Sequence, residues 1–335
     1  MSLTTRRSCR FAAVATLSLM FLFGCSSKTD TAGTGEGSGA DGAGKPVIGF
    51  VQTGSEGDWR KAHTESVREA AEAAGYELRF ADGQAKQENQ IKALSSFVAQ
   101  GVDGIILAPL VETGWDNVLE KAKKRNIPVL ILDRQVDVKD DSLYVTYIGA
   151  DTYNEGRLAA EWLIEKTGGK AKVVELQGTP GASPTINRFN GFRDVIGDQP
   201  GIEIIASQSG DFRRSKGKEV MEAFLKKHGD EIEVVYAHND DMAIGAIQAI
   251  EDAGKKPGDD IILVSIDGVR SAFEAMVEGK LNCTVECNPL QGPMAFEAMG
   301  KILAGDIGDM PKKQMIKDEV YERETAKDVI GSRKY

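Results

Sequence analysis

Four polar residues, His238-Asn239-Asp240-Asp241, interrupt an apolar run that begins at Val234 and resumes with helical spacing at Met242. Two adjacent carboxylates invite a hydrolytic reading. Glycoside hydrolysis, however, needs an acid and a base about 5 to 9 Å apart across the scissile bond, which sequence neighbours do not supply. No nucleophile elbow is present, and the three histidines, His63, His228 and His238, have no clustered partners. They are expected as surface or capping residues, with no metal and no cofactor called for. Binding chemistry fits the residue types better. A neutral polyhydroxylated ligand takes paired hydrogen bonds from planar carboxylate, amide and guanidinium groups and lays its C–H surface on aromatic rings. Asp133, Arg134, Arg188, Asn239 and Asp267 supply the forks, and Trp59 and Phe212 the rings. Asp240 and Asp241 are read as caps of the following helix.

These residues stand where strands end. Val47 to Val51 runs into Gln52-Thr53-Gly54-Ser55, Ile127 to Leu132 into Asp133-Arg134, and Val173 to Leu176 into Gln177-Gly178-Thr179. Ile261 to Ile266 ends in Asp267-Gly268. Between the runs lie amphipathic stretches with helical spacing, such as Gln87 to Gln100 and Ser215 to His228, several closed by glycine. Short apolar strands alternating with helices build parallel sheets, and ligands lie beyond the carboxyl ends of such strands. A second β/α series begins after Val145 to Asp151, so the site is expected between two lobes of α/β type. Further helices are expected around Asn187 to Ile196 and from Met242 to Ala253, and Gln314 to Tyr321 alternates as one strand would.

The net charge of -10 argues against a non-specific nucleic-acid binder, whose affinity rests on Lys and Arg against phosphates. Arg6, Arg7 and Arg10 precede an apolar segment, Phe11 to Phe23, too short to span a bilayer but suited to a signal peptide over 1–24. Leu22-Phe23-Gly24-Cys25 resembles a bacterial lipobox, which implies lipidation of Cys25. The Gly/Ser/Thr-rich stretch 25–45 is a flexible tether. Its dinucleotide-like and P-loop-like glycines precede a strand where the mechanism needs them to follow one. Beyond the tether only Cys283 and Cys287 remain. Residues four apart on an extended strand are separated by about 13 Å, against the 5 to 6 Å of a disulfide, so both are expected as free thiols.

Ile131-Leu132-Asp133-Arg134, Asn187-Arg188-Phe189-Asn190-Gly191-Phe192, Gly210-Asp211-Phe212, Ala237 to Gly245 and Ser265-Ile266-Asp267-Gly268 together resemble the periplasmic-binding-protein-like sugar receptors of ABC importers, the ribose and galactose receptor class. The likeness spans Val47 to about Glu324. Gly54-Ser55-Glu56 with Trp59-Arg60, Asp82-Gly83-Gln84, Lys86 to Ala93 and Ser207 to Phe212 look most like the galactofuranose-binding type. The resemblance implies two Rossmann-like lobes, 46–150 plus 288–317 and 151–287 plus 318–335, joined by a three-strand hinge with the ligand cleft between them. Carried over by position, Asp133, Arg134, Arg188, Asn239 and Asp267 resemble hydroxyl-binding residues and Trp59 and Phe212 sugar-stacking ones, with Glu56 and Arg60 added by the galactofuranose-type loop. Cys287 stands where ribose receptors place a glutamine, which disfavours ribose. The implied role is a non-enzymatic, exported, lipid-anchored monomer that binds a monosaccharide and delivers it to a membrane permease and its ATPase. A lipoprotein that senses sugar for a membrane receptor or kinase is the alternative.

Overall fold

A computed structural model describes residues 44–55 and 57–335; the segment 1–43, which carries Cys25 and the expected signal peptide, and Glu56 lie outside the described residues. The first series comprises strands β1 (Val47–Gln52), β2 (Glu77–Asp82), β3 (Gly104–Leu107), β4 (Val129–Leu132) and β5 (Tyr147–Ala150). Helices α1 (Asp58–Ala73), α2 (Gln87–Gln100) and α3 (Asp116–Lys124) connect them. The second runs α4 (Thr152–Thr167), β6 (Lys170–Gln177), α5 (Ser183–Ile196), β7 (Gly201–Ser209), α6 (Arg214–His228), β8 (Val234–Ala237), α7 (Asp240–Asp252), β9 (Ile262–Asp267), α8 (Arg270–Val277) and β10 (Cys283–Glu286). Helix α9 (Gly292–Ala304), strands β11 (Lys313–Ile316) and β12 (Val320–Glu322) and the short helix α10 (Ala326–Val329) follow.

Among the described residues two six-stranded sheets result, ordered β11-β5-β4-β3-β1-β2 and β12-β10-β9-β8-β6-β7. Every pairing in the first is parallel, and in the second only β12 runs antiparallel, against β10. Because strand side chains alternate, a parallel sheet covered on both faces needs apolar residues at consecutive positions. In β4, Val129 and Ile131 join the cluster around Trp115 and Leu119, while Leu130 and Leu132 join the one around Phe296 and Met299. The chain passes from the first sheet to the second after Ala150, returns between β10 and α9, and crosses again between β11 and β12. Sequence alternation over Gln314 to Tyr321 suggested one strand; it is two, in different sheets, separated by the crossing Lys317–Glu319.

Helix α5 starts at Ser183, a turn before Asn187, with Pro184 in its first turn, where the missing N–H costs nothing. Helices α6 and α7 pack backbone against backbone. A Cβ at Gly245 would lie 2.1 Å from the Arg214 carbonyl oxygen, and one at Gly217 would lie 2.6 Å from the Cα of Met242. Gly245→Ala is expected to cost about 1–3 kcal/mol through overpacking, read as a lower urea midpoint at unchanged slope; an unchanged midpoint rejects the close-contact account.

Candidate functional site

The first sheet contributes one wall. Trp59 and Arg60 occupy the first turn of α1, and Asp133-Arg134 follow β4. Arg60 Nη1 donates to Asp133 Oδ2 at 2.7 Å and to Gln52 Oε1 at 3.3 Å, and Arg134 Nη1 donates to the Leu110 carbonyl at 3.0 Å. Asp133 adopts a left-handed φ of +67°, and its carbonyl accepts from the Tyr147 hydroxyl at 2.9 Å. Burial raises the Asp133 carboxyl, but the Arg60 and Arg134 guanidiniums override it and hold the group below the usual range. His63 stacks on Trp59 with centroids 5.1 Å apart. Its Nδ1 accepts from Gln52 Nε2 at 3.0 Å, and burial, with the Arg60 charge, pushes its pKa down to about 3, so the ring is neutral.

The second sheet supplies the facing wall. Arg188, on α5, donates through Nε to Glu155 Oε2 at 2.7 Å and through Nη1 to the His238 carbonyl, and its Nη2 lies 3.6 Å from Asp267 Oδ1. Despite burial, Glu155 and Asp267 raise the Arg188 pKa further. His238 is itself buried: its Nδ1 accepts from the Gly178 N–H at 3.4 Å, which places the ring proton on Nε2, 3.0 Å from Glu175 Oε1. His63 and His238 are therefore core residues, correcting the surface or capping expectation, and only His228 is half-buried. Phe212 follows β7 at φ +58°, with the Arg134 and Arg188 guanidiniums 5.3 and 5.9 Å from its ring centroid.

The Asn239-Asp240-Asp241 trio divides its work differently from the cap assignment. Asn239 is the cap: its Oδ1 accepts from the Met242 N–H at 3.0 Å, and its Nδ2 donates to the Phe212 carbonyl at 3.3 Å. Asp240 points into the sheet and accepts from the Ser265 and Thr284 hydroxyls and from the Val269 N–H, the last at 2.9 Å. Asp241 reaches across to the first lobe, accepting from the Asp58 N–H at 3.1 Å and pairing with Arg214 at 2.8 Å.

All eight described candidates, Trp59, Arg60, Asp133, Arg134, Arg188, Phe212, Asn239 and Asp267, line one cavity. Glu56 is outside the described residues. Gly57, Pro184, Asp241 and Cys287 complete the lining. Of these, the sequence pattern marks Asp241 only as a cap, and no local pattern marks Gly57 or Pro184. Cys287 sits where the chain leaves the second sheet, its carbonyl accepting from Trp59 Nε1 and its N–H donating to the Asp267 carbonyl at 3.0 Å. Cys283 and Cys287 are buried free thiols. The lobes also meet beside the cavity, where the Glu112 N–H donates to the Gly181 carbonyl at 2.9 Å and the Gln135 N–H to Ser183 Oγ at 2.8 Å.

With two α/β lobes and a cavity between their strand ends in place, the sequence comparison adds that residues 48–307 match the periplasmic binding protein domain family. The chain is a periplasmic binding protein. It is 53% identical over 292 residues to the galactofuranose-binding protein of Escherichia coli K12, covering 86% of this chain and 91% of that protein. The arabinose ABC transporter's periplasmic binding component from Shewanella sp. ANA-3, solved with α- and β-L-arabinofuranose, superposes with a TM-score of 0.84 at 49% identity, covering 86% of this chain and 95% of that one. A Mycobacterium smegmatis protein in complex with β-D-fucofuranose gives 0.84 at 47% identity, covering 87% and 95%. The relatives are receptors, and this binding protein is not an enzyme.

Burial pushes the Asp240 carboxyl up to about 6, against the pull of its hydroxyl and N–H donors. An unfolded aspartate titrates near ~3.9, so between about pH 4 and 6 the native state holds more protons than the unfolded one. The contribution of this group to stability therefore falls as pH rises through that window and is flat above it. Asp240→Asn keeps an acceptor for Val269 and removes the titration. Thermal unfolding should show the variant gaining on the parent by on the order of 2–3 kcal/mol from pH 4 to 6, then running parallel to it; a constant offset throughout would contradict this.

Proposed function

We propose that this binding protein takes a monosaccharide in the furanose form, galactofuranose or a related aldose, between its lobes and delivers it to a membrane permease and its ATPase. The observation that carries this reading is the composition of the cavity wall. Three guanidiniums, of Arg60, Arg134 and Arg188, line it together with three carboxyl groups, of Asp133, Asp241 and Asp267, burial raising the last two. The wall thus offers directional forks without a large net charge, which suits a neutral polyol better than an anion or a cation. Trp59 and Phe212 add apolar faces beside the forks. Two of the relatives are solved with furanoses, and Cys287 brings a weakly hydrogen-bonding thiol to the hinge side of the cavity.

In this reading the segments 46–150 plus 288–317 and 151–287 plus 318–335 move as two bodies about the three crossings, and sugar bonded to both favours closure. The protein acts as a monomer, exported and held at the membrane surface by a lipid on Cys25. Cys25→Ala should shift the protein from the membrane fraction to the soluble fraction; unchanged fractionation refutes the anchor.

The ligand reading is tested by calorimetry over pentoses and hexoses in both ring forms. Galactofuranose or L-arabinofuranose is expected to bind at least about tenfold more tightly than ribose, a difference of ~1.4 kcal/mol. Asn239→Ala should weaken binding by about 1–3 kcal/mol, the cost of leaving its partner groups unpaired. Arg188→Ala should abolish measurable binding while far-UV circular dichroism retains the α/β signature. Parent-like affinity in both variants would place the site elsewhere.

A further inference from the structure

Asp267 is held in a backbone conformation that a non-glycine residue rarely adopts, with φ at +133°, and Gly268 follows at +74°. Such a conformation persists only where surrounding structure over-determines it. The Asp267 carbonyl accepts from the Cys287 N–H at 3.0 Å, and the Gly268 N–H donates to Thr284 Oγ1 at 3.2 Å. Asp240 Oδ2 accepts from the Val269 N–H at 2.9 Å, and a further hold comes from a residue far from the cavity in sequence and not among those that line it. Arg333 donates through Nη2 at 2.6 Å and Nε at 3.1 Å to the Gly268 carbonyl, and through Nη1 at 2.8 Å to Glu286 Oε1.

Glu286 is the neighbour of Asp267 in the β9–β10 register and immediately precedes Cys287. One guanidinium therefore ties the ends of two adjacent strands at the point where one presents Asp267 and the other leaves the sheet. The tie is built for permanence. The Arg333 side chain is only 7% exposed, and the rings of Phe273, Tyr321 and Tyr335 surround its guanidinium carbon at 4.8, 5.1 and 4.6 Å from their centroids. Tyr335 donates from its hydroxyl to the same Glu286 oxygen at 2.8 Å, and its carbonyl accepts from the Arg270 N–H. A planar fork, an ion pair and a three-ring cage are more than is needed to fasten a peripheral segment.

We propose that Arg333 is a positioning residue of the binding site: it touches no ligand, and it locks the Asp267–Gly268 turn so that the Asp267 carboxylate faces the cavity. Without the lock the turn relaxes and the carboxylate is no longer presented. The affinity readout rests on the sugar reading above; the structural readout does not.

The test compares Arg333→Met and Arg333→Lys with the parent by calorimetry against galactofuranose and L-arabinofuranose, by thermal unfolding and by crystallography. Releasing a turn strained by about 1–3 kcal/mol corresponds to a loss of affinity of roughly 5- to 140-fold. Lysine restores a charge for Glu286 but cannot bridge to the Gly268 carbonyl, so Arg333→Lys should recover melting temperature without recovering affinity. Arg333→Met and Asp267→Asn should combine non-additively, whereas Arg333→Met and Asn239→Ala should add. If Arg333→Met does not fold, Arg333→Lys alone decides, since parent-like affinity in it overturns the proposal. Affinity that tracks melting temperature through both variants also overturns it, as does additivity with Asp267→Asn. If the parent binds no sugar, the sugar reading fails on its own. The crystal structure of Arg333→Lys then decides: a negative φ at Asp267 supports the lock, and the parent conformation refutes it.

Discussion

A guanidinium can be taken out of water only against opposite charge or well-placed acceptors, and the arrangement of the cleft follows from where its arginines find them. Arg60 has Asp133 and Gln52; Arg188 has Glu155, the His238 carbonyl and, further off, Asp267. Each partner comes from a different strand end or helix start, so the two ion clusters act as the pins on which the loops are hung. Their worth to stability is small once desolvation is counted, but removing one member would strand a buried charge. What they contribute is direction. The planar groups are fixed before any ligand arrives, which reduces the ordering cost of binding.

The trio that follows β8 shows how one short segment serves the fold and the site together. Asn239 caps α7 and steadies the backbone beside Phe212, Asp240 fastens α7 to β9 and β10 through Ser265, Val269 and Thr284, and Asp241 meets the other lobe at Asp58. Three neighbouring polar residues thus face a helix end, a sheet and a cleft mouth, because the chain turns through the N-terminus of a helix and successive side chains leave in different directions. Three cavity residues, Asp133, Phe212 and Asp267, have left-handed or otherwise positive φ. Strain concentrated at the points of contact is what a pre-formed site requires.

The strand ends and most helices were legible from local pattern. Helix α2 runs from Gln87 to Gln100 as its periodicity indicates, and Gly101 closes it at a φ of +67°. The polar residues after β4 and β8 and at the end of β9 could be placed because apolar runs stop there. What stayed hidden was each residue's partner. His63 is buried by Gln52 and Trp59, and His238 by Glu175 and Gly178, groups brought together only by the sheets. Asp240 finds its acceptor role 25 and 44 residues away, at Ser265 and Thr284, and Arg333 reaches back 65 residues to Gly268. Helix-capping preference is a local statistic and cannot see such contacts, so it assigned Asp240 and Asp241 the duty that Asn239 performs.

In the proposed mechanism the balance between open and closed lobes must be set so that ligand decides it. Beside the cavity the lobes meet through polar contacts, Glu112 with Gly181, Gln135 with Ser183, and Asp58 with Asp241 and Arg214, and through Trp59, which joins the second lobe's core and donates to the Cys287 carbonyl. The Arg214–Asp58 pair is 39% and 45% exposed, and pairs of that kind are worth about 0–1 kcal/mol. Turning a mostly open population into a mostly closed one takes about 5.5 kcal/mol of differential binding. A sugar accepting and donating a few charge-assisted hydrogen bonds to both walls, at about 1.5–3 kcal/mol each, supplies that amount. A ligand gripped by one wall alone binds both states equally and shifts nothing. In the proposed mechanism the split of the forks, with Arg60, Asp133 and Arg134 on one lobe and Arg188, Asn239 and Asp267 on the other, couples recognition to closure.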